Sequence, residues 1–237
     1  MNPFVIFYTL LTFFNTMVAI FVGLFLNKNF KEDLEYKTIG GMTILASLPL
    51  FLMGFRNLIF SMGWINYDFA ILMFFLEYEA VFFLWLVYTL PRLISLIFNQ
   101  KIMKKFSFVL GILSFSFISI TFFLQREKII SYSLPYGLMF DLPSDIKFYF
   151  RISAIIFGLF FVYRLFSLFF LWRKRKILLF RLLTYLMLIL AFLSSIPFFR
   201  SRLIPWHGVF ASIGMLAGIL GIYFFASQEM IEKSESV

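Results

Sequence analysis

Seven long apolar segments account for most of this chain, and they limit its fold more than any other feature. They run over about residues 3–26, 38–60, 69–98, 106–125, 147–172, 177–198 and 205–227. A bilayer core takes roughly 20 apolar residues per helix. Each segment is also apolar around its whole circumference, whereas a surface helix of a soluble protein is amphipathic. The pattern predicts an all-α, polytopic membrane protein, with residues 1–237 forming one bundle of seven transmembrane helices.

The composition agrees with lipid as the solvent. Hydrophobic residues make up 62% of the chain and charged residues 14%, so a water-soluble domain would expose apolar surface on every side. The lipid bilayer is therefore the first expected partner. The formal charge of +9 does not indicate nucleic acid, because the Lys and Arg residues lie in short loops where membrane topology accounts for them. The N-terminus has no basic region and no small-residue cleavage site, so we expect the first segment to be retained.

The distribution of basic residues predicts the orientation. If the N-terminus is outside, the cytoplasmic loops and tail hold thirteen Lys and Arg residues and the outer loops hold six. Basic residues in short loops stay on the cytoplasmic side, which favours an outer N-terminus and a cytoplasmic C-terminus. Residues 228–237 then form a short cytoplasmic tail. Its acidic residues, Glu229, Glu232 and Glu235, are expected either to be solvated, which we favour, or to contact a partner.

Two acidic residues lie inside the third segment, where an ionisable group is costly and needs a partner. At about 100° per residue, Glu77 and Glu79 point to nearly opposite sides of the helix. They are therefore not the converging carboxylates that glycosidases and aspartic proteases use. A helix with acids on two faces is expected in the middle of the bundle. Tyr88 is predicted to share the face of Glu77, and Asp68 that of Glu79.

Depth in the membrane predicts the partner of Glu77. At 1.5 Å per residue, Arg56 lies about 8 Å below the outer end of the second segment and Glu77 about 13 Å below the outer start of the third. A guanidinium bridges that difference, so we expect an Arg56–Glu77 pair. Arg164, in the inner third of the fifth segment, is expected either to meet Glu79 or to extend to the inner surface. These charges either serve a ligand, an ion or a proton, or only fix helix packing.

The longest outer loop, about residues 126–146, and the outer helix ends supply a predicted outer rim. The rim consists of Asp68, Tyr136 and His207. The loop contains a Pro135-Tyr136-Gly137 turn, and it is expected either to cover an outer cavity or to be an ordinary connection.

Small residues share one face of the last segment. They are Ala211, Gly214, Gly218 and Gly221. This spacing lets helices approach closely, either within the bundle or between two copies of the chain.

Several chemistries lack their residues in this sequence. The chain has no Cys and a single His, so thiolate and metal chemistry are disfavoured. No segment core carries a Lys for a retinal Schiff base, and no phosphate loop, H-E-x-x-H or G-x-S-x-G motif is present. We expect no catalytic residue, metal site or cofactor, although an intramembrane enzyme of unfamiliar type stays open.

The layout resembles the seven-helix membrane input region of bacterial sensor histidine kinases and cyclases. The similar features are Asn15, the loop sequence NKNFKEDLEYK, Tyr136-Gly137, the RKRK stretch at 173–176 and the ending SQEMIEKSESV. The resemblance implies a multi-pass protein of the cell inner membrane that senses a small molecule or a membrane state. No effector domain follows the last helix here, so the signal would pass to a separate cytoplasmic signalling protein.

Two other function classes fit the same residues. One is a small transporter or channel component, in which the membrane-buried charges serve a path for a solute or protons. The other is a structural subunit that binds partners in a membrane complex, in which the charges only fix packing.

Overall fold

The computed structural model describes residues 3–98, 101–134, 137–172, 176–195 and 207–235. In these ranges the α-helices are α1 (Pro3–Asn29), α2 (Leu34–Ser61), α3 (Tyr67–Phe82), α4 (Leu90–Phe98), α5 (Lys101–Leu124), α6 (Ser144–Trp172), α7 (Lys176–Ser195) and α8 (His207–Glu235). A π-helical segment, Phe83–Thr89, joins α3 to α4. A short 3-10 turn, Arg126–Lys128, follows α5.

Most described helices have the length and composition of membrane spans. Five stretches qualify by both criteria: Pro3–Asn29, Leu34–Ser61, Tyr67–Leu96, Lys105–Leu124 and Gly208–Glu235. Two shorter apolar stretches, Gly158–Leu171 and Leu178–Ser194, lie within α6 and α7. Many large apolar side chains on the outer surface, such as Met17 and Phe170, are exposed, as expected where lipid replaces water. The helical fold class is therefore confirmed, and five of the described helical stretches are long and apolar enough to span a membrane.

Helices α1 and α2 form the centre of the fold. They pack along their lengths, with α1 also contacting α8 and α2 contacting α3. The contact is close at Gly40, where an added Cβ would lie 2.9 Å from the carbonyl oxygen of Gly23 and 2.8 Å from Oδ1 of Asn27. Helices α7 and α8 form a second pair, and α6 packs against α7. This order brings the starts of α2 and α7 close to the end of α8.

Side-chain caps set where α2 and α3 begin. The carboxylate of Asp33 accepts hydrogen bonds from the backbone N–H groups of Glu35 and Tyr36. The side chain of Asn66 accepts one from the N–H of Phe69. Such caps satisfy N–H groups that have no partner within the helix. The caps therefore set the residue at which each helix begins, and so the helix face on which each charged side chain lies.

The long loop between α5 and α6 contains a hairpin that the helical pattern does not predict. Strands β1 (Ile130–Leu134) and β2 (Gly137–Asp141) pair antiparallel, from Ile130 opposite Asp141 to Leu134 opposite Gly137. The turn residues Pro135 and Tyr136 lie outside the described residues. The hairpin is a local departure from an otherwise helical fold.

The small residues of α8 pack against α7 within the chain. An added Cβ at Gly218 would lie 2.7 Å from both the backbone N of Ala191 and the carbonyl oxygen of Met187. Gly214 faces Ser194, and Gly221 faces Met187. These three glycines therefore let α7 and α8 approach closely inside the bundle. Ala211, one turn earlier in α8, is half-buried.

The expected solvated tail is wrong for Glu229. Helix α8 continues to Glu235, and Glu229 is 0% exposed. A carboxylate is almost never fully buried unless it is paired, and Glu229 has the partners described below.

Candidate functional site

Arg56 of α2 and Glu77 of α3 form a buried ion pair, as the depth argument predicts. Nε of Arg56 donates to Oε1 of Glu77 at 2.5 Å, and Nη2 donates to Oε2 at 3.1 Å. The two residues are 1% and 6% exposed. Two parallel N–H···O bonds are the strongest arrangement of these groups. The pair therefore fixes α2 against α3.

Aromatic rings enclose the guanidinium of this pair. The Cζ atom of Arg56 lies 5.7 Å from the ring centre of Phe74 and 5.1 Å from that of Phe140. Both rings are within the range of a cation–π interaction. Phe140 belongs to β2, so the hairpin covers the ion pair. The two expectations for this loop, a cover over an outer cavity or an ordinary connection, both stay predictions.

Glu79 lies on the other side of α3, as its spacing from Glu77 predicts. The hydroxyl of Ser119, in α5, donates to Oε2 of Glu79 at 2.6 Å. Glu79 is half-buried, and Arg164 does not reach it, because Arg164 pairs with Glu35. The two acids of α3 therefore contact different helices and do not form one site.

Tyr88 faces α2, as Glu77 does, but it does not form one cluster with Arg56 and Glu77, so the predicted grouping of these residues is wrong. Its hydroxyl lies against Gly41 of α2, about 22 Å from Arg56 along that helix at 1.5 Å per residue. The guanidinium of Arg92 stacks over the Tyr88 ring at 3.6 Å. The cause is depth along the helix, because Tyr88 lies about 16 Å further along than Glu77 at 1.5 Å per residue.

A second ionic cluster lies where α2 and α7 begin and α8 ends. We call it the Arg181 cluster. It contains Asp33, Glu35, Arg164, Arg181, Glu229 and Lys233. The three carboxylates and three cations come from α2 with its cap, α6, α7 and α8.

Arg181 is the centre of the cluster because it contacts all three carboxylates. Nη2 donates to Oδ2 of Asp33 at 2.6 Å and to Oε1 of Glu229 at 2.7 Å. Nη1 donates to Oε2 of Glu35 at 3.1 Å. The hydroxyl of Tyr36 adds a bond to Oε2 of Glu229 at 2.6 Å. One guanidinium thus connects α7 with both α2 and α8.

Two further cations complete the Arg181 cluster. Arg164 of α6 pairs with Glu35. Both expectations for Arg164, a contact with Glu79 and a free extension to the inner surface, are therefore wrong. Lys233 lies 2.8 Å from Glu229, one helical turn away. The pattern of basic loop residues assigns Arg181 only to a loop. Three acidic residues are predicted to lie on the same side of the membrane as Arg181, and they are the sequence feature that could have indicated its role. They are Asp33, Glu35 and Glu229.

The predicted outer rim is described at one of its three residues only, so it stays a prediction. Asp68 lines a groove between α3 and the end of α5. Tyr136 lies outside the described residues, and so does the side chain of His207, at which α8 begins. No group of three or more His, Cys, Asp or Glu side chains among the described residues has a metal-binding arrangement.

Asn15, one of the residues that carry the resemblance to sensor input regions, joins two helices. It is fully buried in α1, and its Nδ2 donates to the backbone carbonyl of Ser212 in α8 at 2.9 Å. Helix α8 is therefore held on α1 near its start, at Ser212, and on α2 and α7 at its end.

No protein-family model matches this chain, and no curated protein matches it. The ground for a functional proposal is therefore the geometry of its buried charges.

Proposed function

We propose that this chain is a seven-span protein of the cell inner membrane that receives a signal and passes it through α8 to a separate cytoplasmic protein. In this proposal the N-terminus is outside and the C-terminus is cytoplasmic. The Arg56–Glu77 pair then lies near the outer surface and the Arg181 cluster near the inner surface.

Helix lengths support seven spans. Helix α6 has 29 residues and α7 has 20, which is about 43 Å and about 30 Å at 1.5 Å per residue. Both lengths cover a hydrocarbon core of about 30 Å. With α3 and α4 joined as one rod, α1, α2, this rod, α5, α6, α7 and α8 supply the seven spans.

The observation that carries the signalling proposal is the Arg181 cluster. Arg181 binds acids of α2 and α8 at once, so a shift between these helices breaks several charged hydrogen bonds together. Packed interfaces of this kind change between discrete arrangements rather than deforming continuously. A signal that moves α2 would therefore change the position of the α8 end, where Glu232 and Glu235 are accessible to a partner.

The region between the two charged sites argues against a transport path along α2. Glu35 and Arg56 lie about 32 Å apart along this helix at 1.5 Å per residue. Its buried apolar residues between them are Ile39, Met42, Leu50 and Met53. The hydroxyls of Thr43 and Ser47 donate to carbonyls of their own helix. Between Glu35 and Arg56, these two hydroxyls of α2 are therefore bonded within their own helix and do not connect the two sites.

We expect reporter tags at the two termini to lie on opposite sides of the membrane. An odd number of spans requires this result, and the uneven distribution of basic residues among the loops favours a cytoplasmic C-terminal tag. A fluorescent reporter and a periplasmic phosphatase, each fused to either terminus, measure it. Both tags on one side would overturn the seven-span topology.

Purification in mild detergent is expected to recover a cytoplasmic signalling protein with this chain. Mass spectrometry identifies the partner, and Arg181→Gln lowers its recovery because the α8 end is no longer held in place. Lys37→Gln is the matched control, since Lys37 is exposed near the same end of α2. A structural subunit would instead bring only fixed membrane partners, with equal recovery in all three proteins, and this result would contradict the proposal.

A further inference from the structure

A groove of about 610 Å³ lies between α3 and the end of α5, on the side of α3 away from Glu77. Its apolar wall includes Ile71, Leu72, Phe75, Phe122 and Phe123. The volume is in the range of small-molecule sites, which are about 300–1,000 Å³. Nothing in the Arg56–Glu77 pair or the Arg181 cluster uses this groove.

The groove opens sideways, toward the surface that lipid covers. Its inner wall is the fully buried Phe122. Its edges are Leu72 and Phe123, which are 51% and 55% exposed. A groove with an apolar floor and exposed apolar edges is accessible to an acyl chain from the bilayer.

Charged residues lie at one end of the groove only. Asp68 is in the first turn of α3, and Arg126 and Glu127 are in the 3-10 turn after α5. Phe75 lies about 10 Å further along α3 at 1.5 Å per residue. The guanidinium of Arg126 stacks over Phe123, 4.7 Å from the ring centre, so its charge is at the mouth. The groove thus has a polar end at the membrane surface and an apolar end within the membrane.

The signs of the charges at the rim of the groove determine which lipid headgroup fits it. One guanidinium suits a phosphate, and two carboxylates suit an ammonium group. With two acids and one base, the rim disfavours a lipid with a net negative headgroup. A zwitterionic aminophospholipid carries both complementary charges and an acyl chain.

We propose that this groove binds a phospholipid of the phosphatidylethanolamine type. One acyl chain lies along Leu72, Phe75 and Phe122, the phosphate contacts Arg126, and the ammonium contacts Asp68 and Glu127. The proposal rests on the membrane location proposed above, which the terminal reporters test separately.

Native mass spectrometry of the full chain, released from nanodiscs with equal amounts of phosphatidylethanolamine and phosphatidylglycerol, tests the site. The expected result is retention of one phosphatidylethanolamine in preference to phosphatidylglycerol. Arg126→Ala lowers retention about fivefold, which corresponds to about 1 kcal/mol for one basic residue at the headgroup level. Lys128→Ala, in the same turn but outside the groove, leaves it unchanged.

A second pair of variants tests the apolar wall. Leu72→Trp fills the groove and abolishes retention, whereas Leu76→Trp, on an equally exposed position one turn along α3, does not. Thermal unfolding of each variant checks that it is folded. Equal loss in Arg126→Ala and Lys128→Ala, retention of both lipids alike, or no retained lipid in the wild-type protein would overturn the proposal.

Discussion

Replacing Arg56 by leucine is expected to lower the free energy of unfolding by about 3–5 kcal/mol. The change leaves the Glu77 carboxylate buried, with neither of its two guanidinium hydrogen bonds. The surrounding rings of Phe74 and Phe140 supply no replacement donor. Such an unpaired buried charge costs more than the intact pair contributes.

Rescue by a second substitution distinguishes this cause from loss of packing. The double variant R56L/E77L removes both charges and is expected to recover most of the lost stability, because apolar side chains replace a buried ion pair at little cost. Glu79→Gln is the matched control on the same helix, since Glu79 accepts its described bond from the neutral hydroxyl of Ser119. Thermal or denaturant unfolding in detergent micelles measures all four proteins. If R56L and Glu79→Gln lose the same stability, the account of the pair is wrong.

Replacing Arg181 by glutamine is expected to have an effect of similar size, about 3–5 kcal/mol. Asp33, Glu35 and Glu229 would then share two cations, Arg164 and Lys233. Glu229 has the largest penalty because it is fully buried. The loss removes the ionic link from α7 to α2 and to the end of α8, while the glycine contacts between α7 and α8 stay. The α8 end should therefore become mobile as well as less stable.

The same unfolding measurement tests this second prediction. Arg181→Gln combined with Glu229→Gln removes one charge of each sign and should recover part of the stability. Lys37→Gln, which changes an exposed cation near the same end of α2, should change the free energy of unfolding by less than about 0.5 kcal/mol. A loss in Arg181→Gln no larger than this control would show that the cluster does not hold the helices.

Local sequence rules predicted those features that depend on a single helix. Apolar length located the helices, and the 100° rotation per residue separated Glu77 from Glu79. The Arg56–Glu77 pair was also predictable, because depth depends only on the count of residues from each helix end. In all three cases the prediction needs only the rotation and the rise per residue of a regular α-helix.

Features that depend on irregular backbone or on distant packing were not predictable in this way. The Arg181 cluster requires the neighbours of α7 to be known, since its acids are far away in sequence. Phe140 covers Arg56 through a hairpin that an apolar-segment pattern treats as a loop.

Distance measurement between spin labels tests most directly whether Arg181 holds α8 on α2. The chain has no Cys, so Lys37→Cys and Ile231→Cys, both at exposed positions, give a uniquely labelled protein in nanodiscs. We predict one narrow distance distribution in the otherwise wild-type chain and a broad or shifted one when Arg181→Gln is added. The same narrow distribution in both proteins would contradict the role that we assign to Arg181.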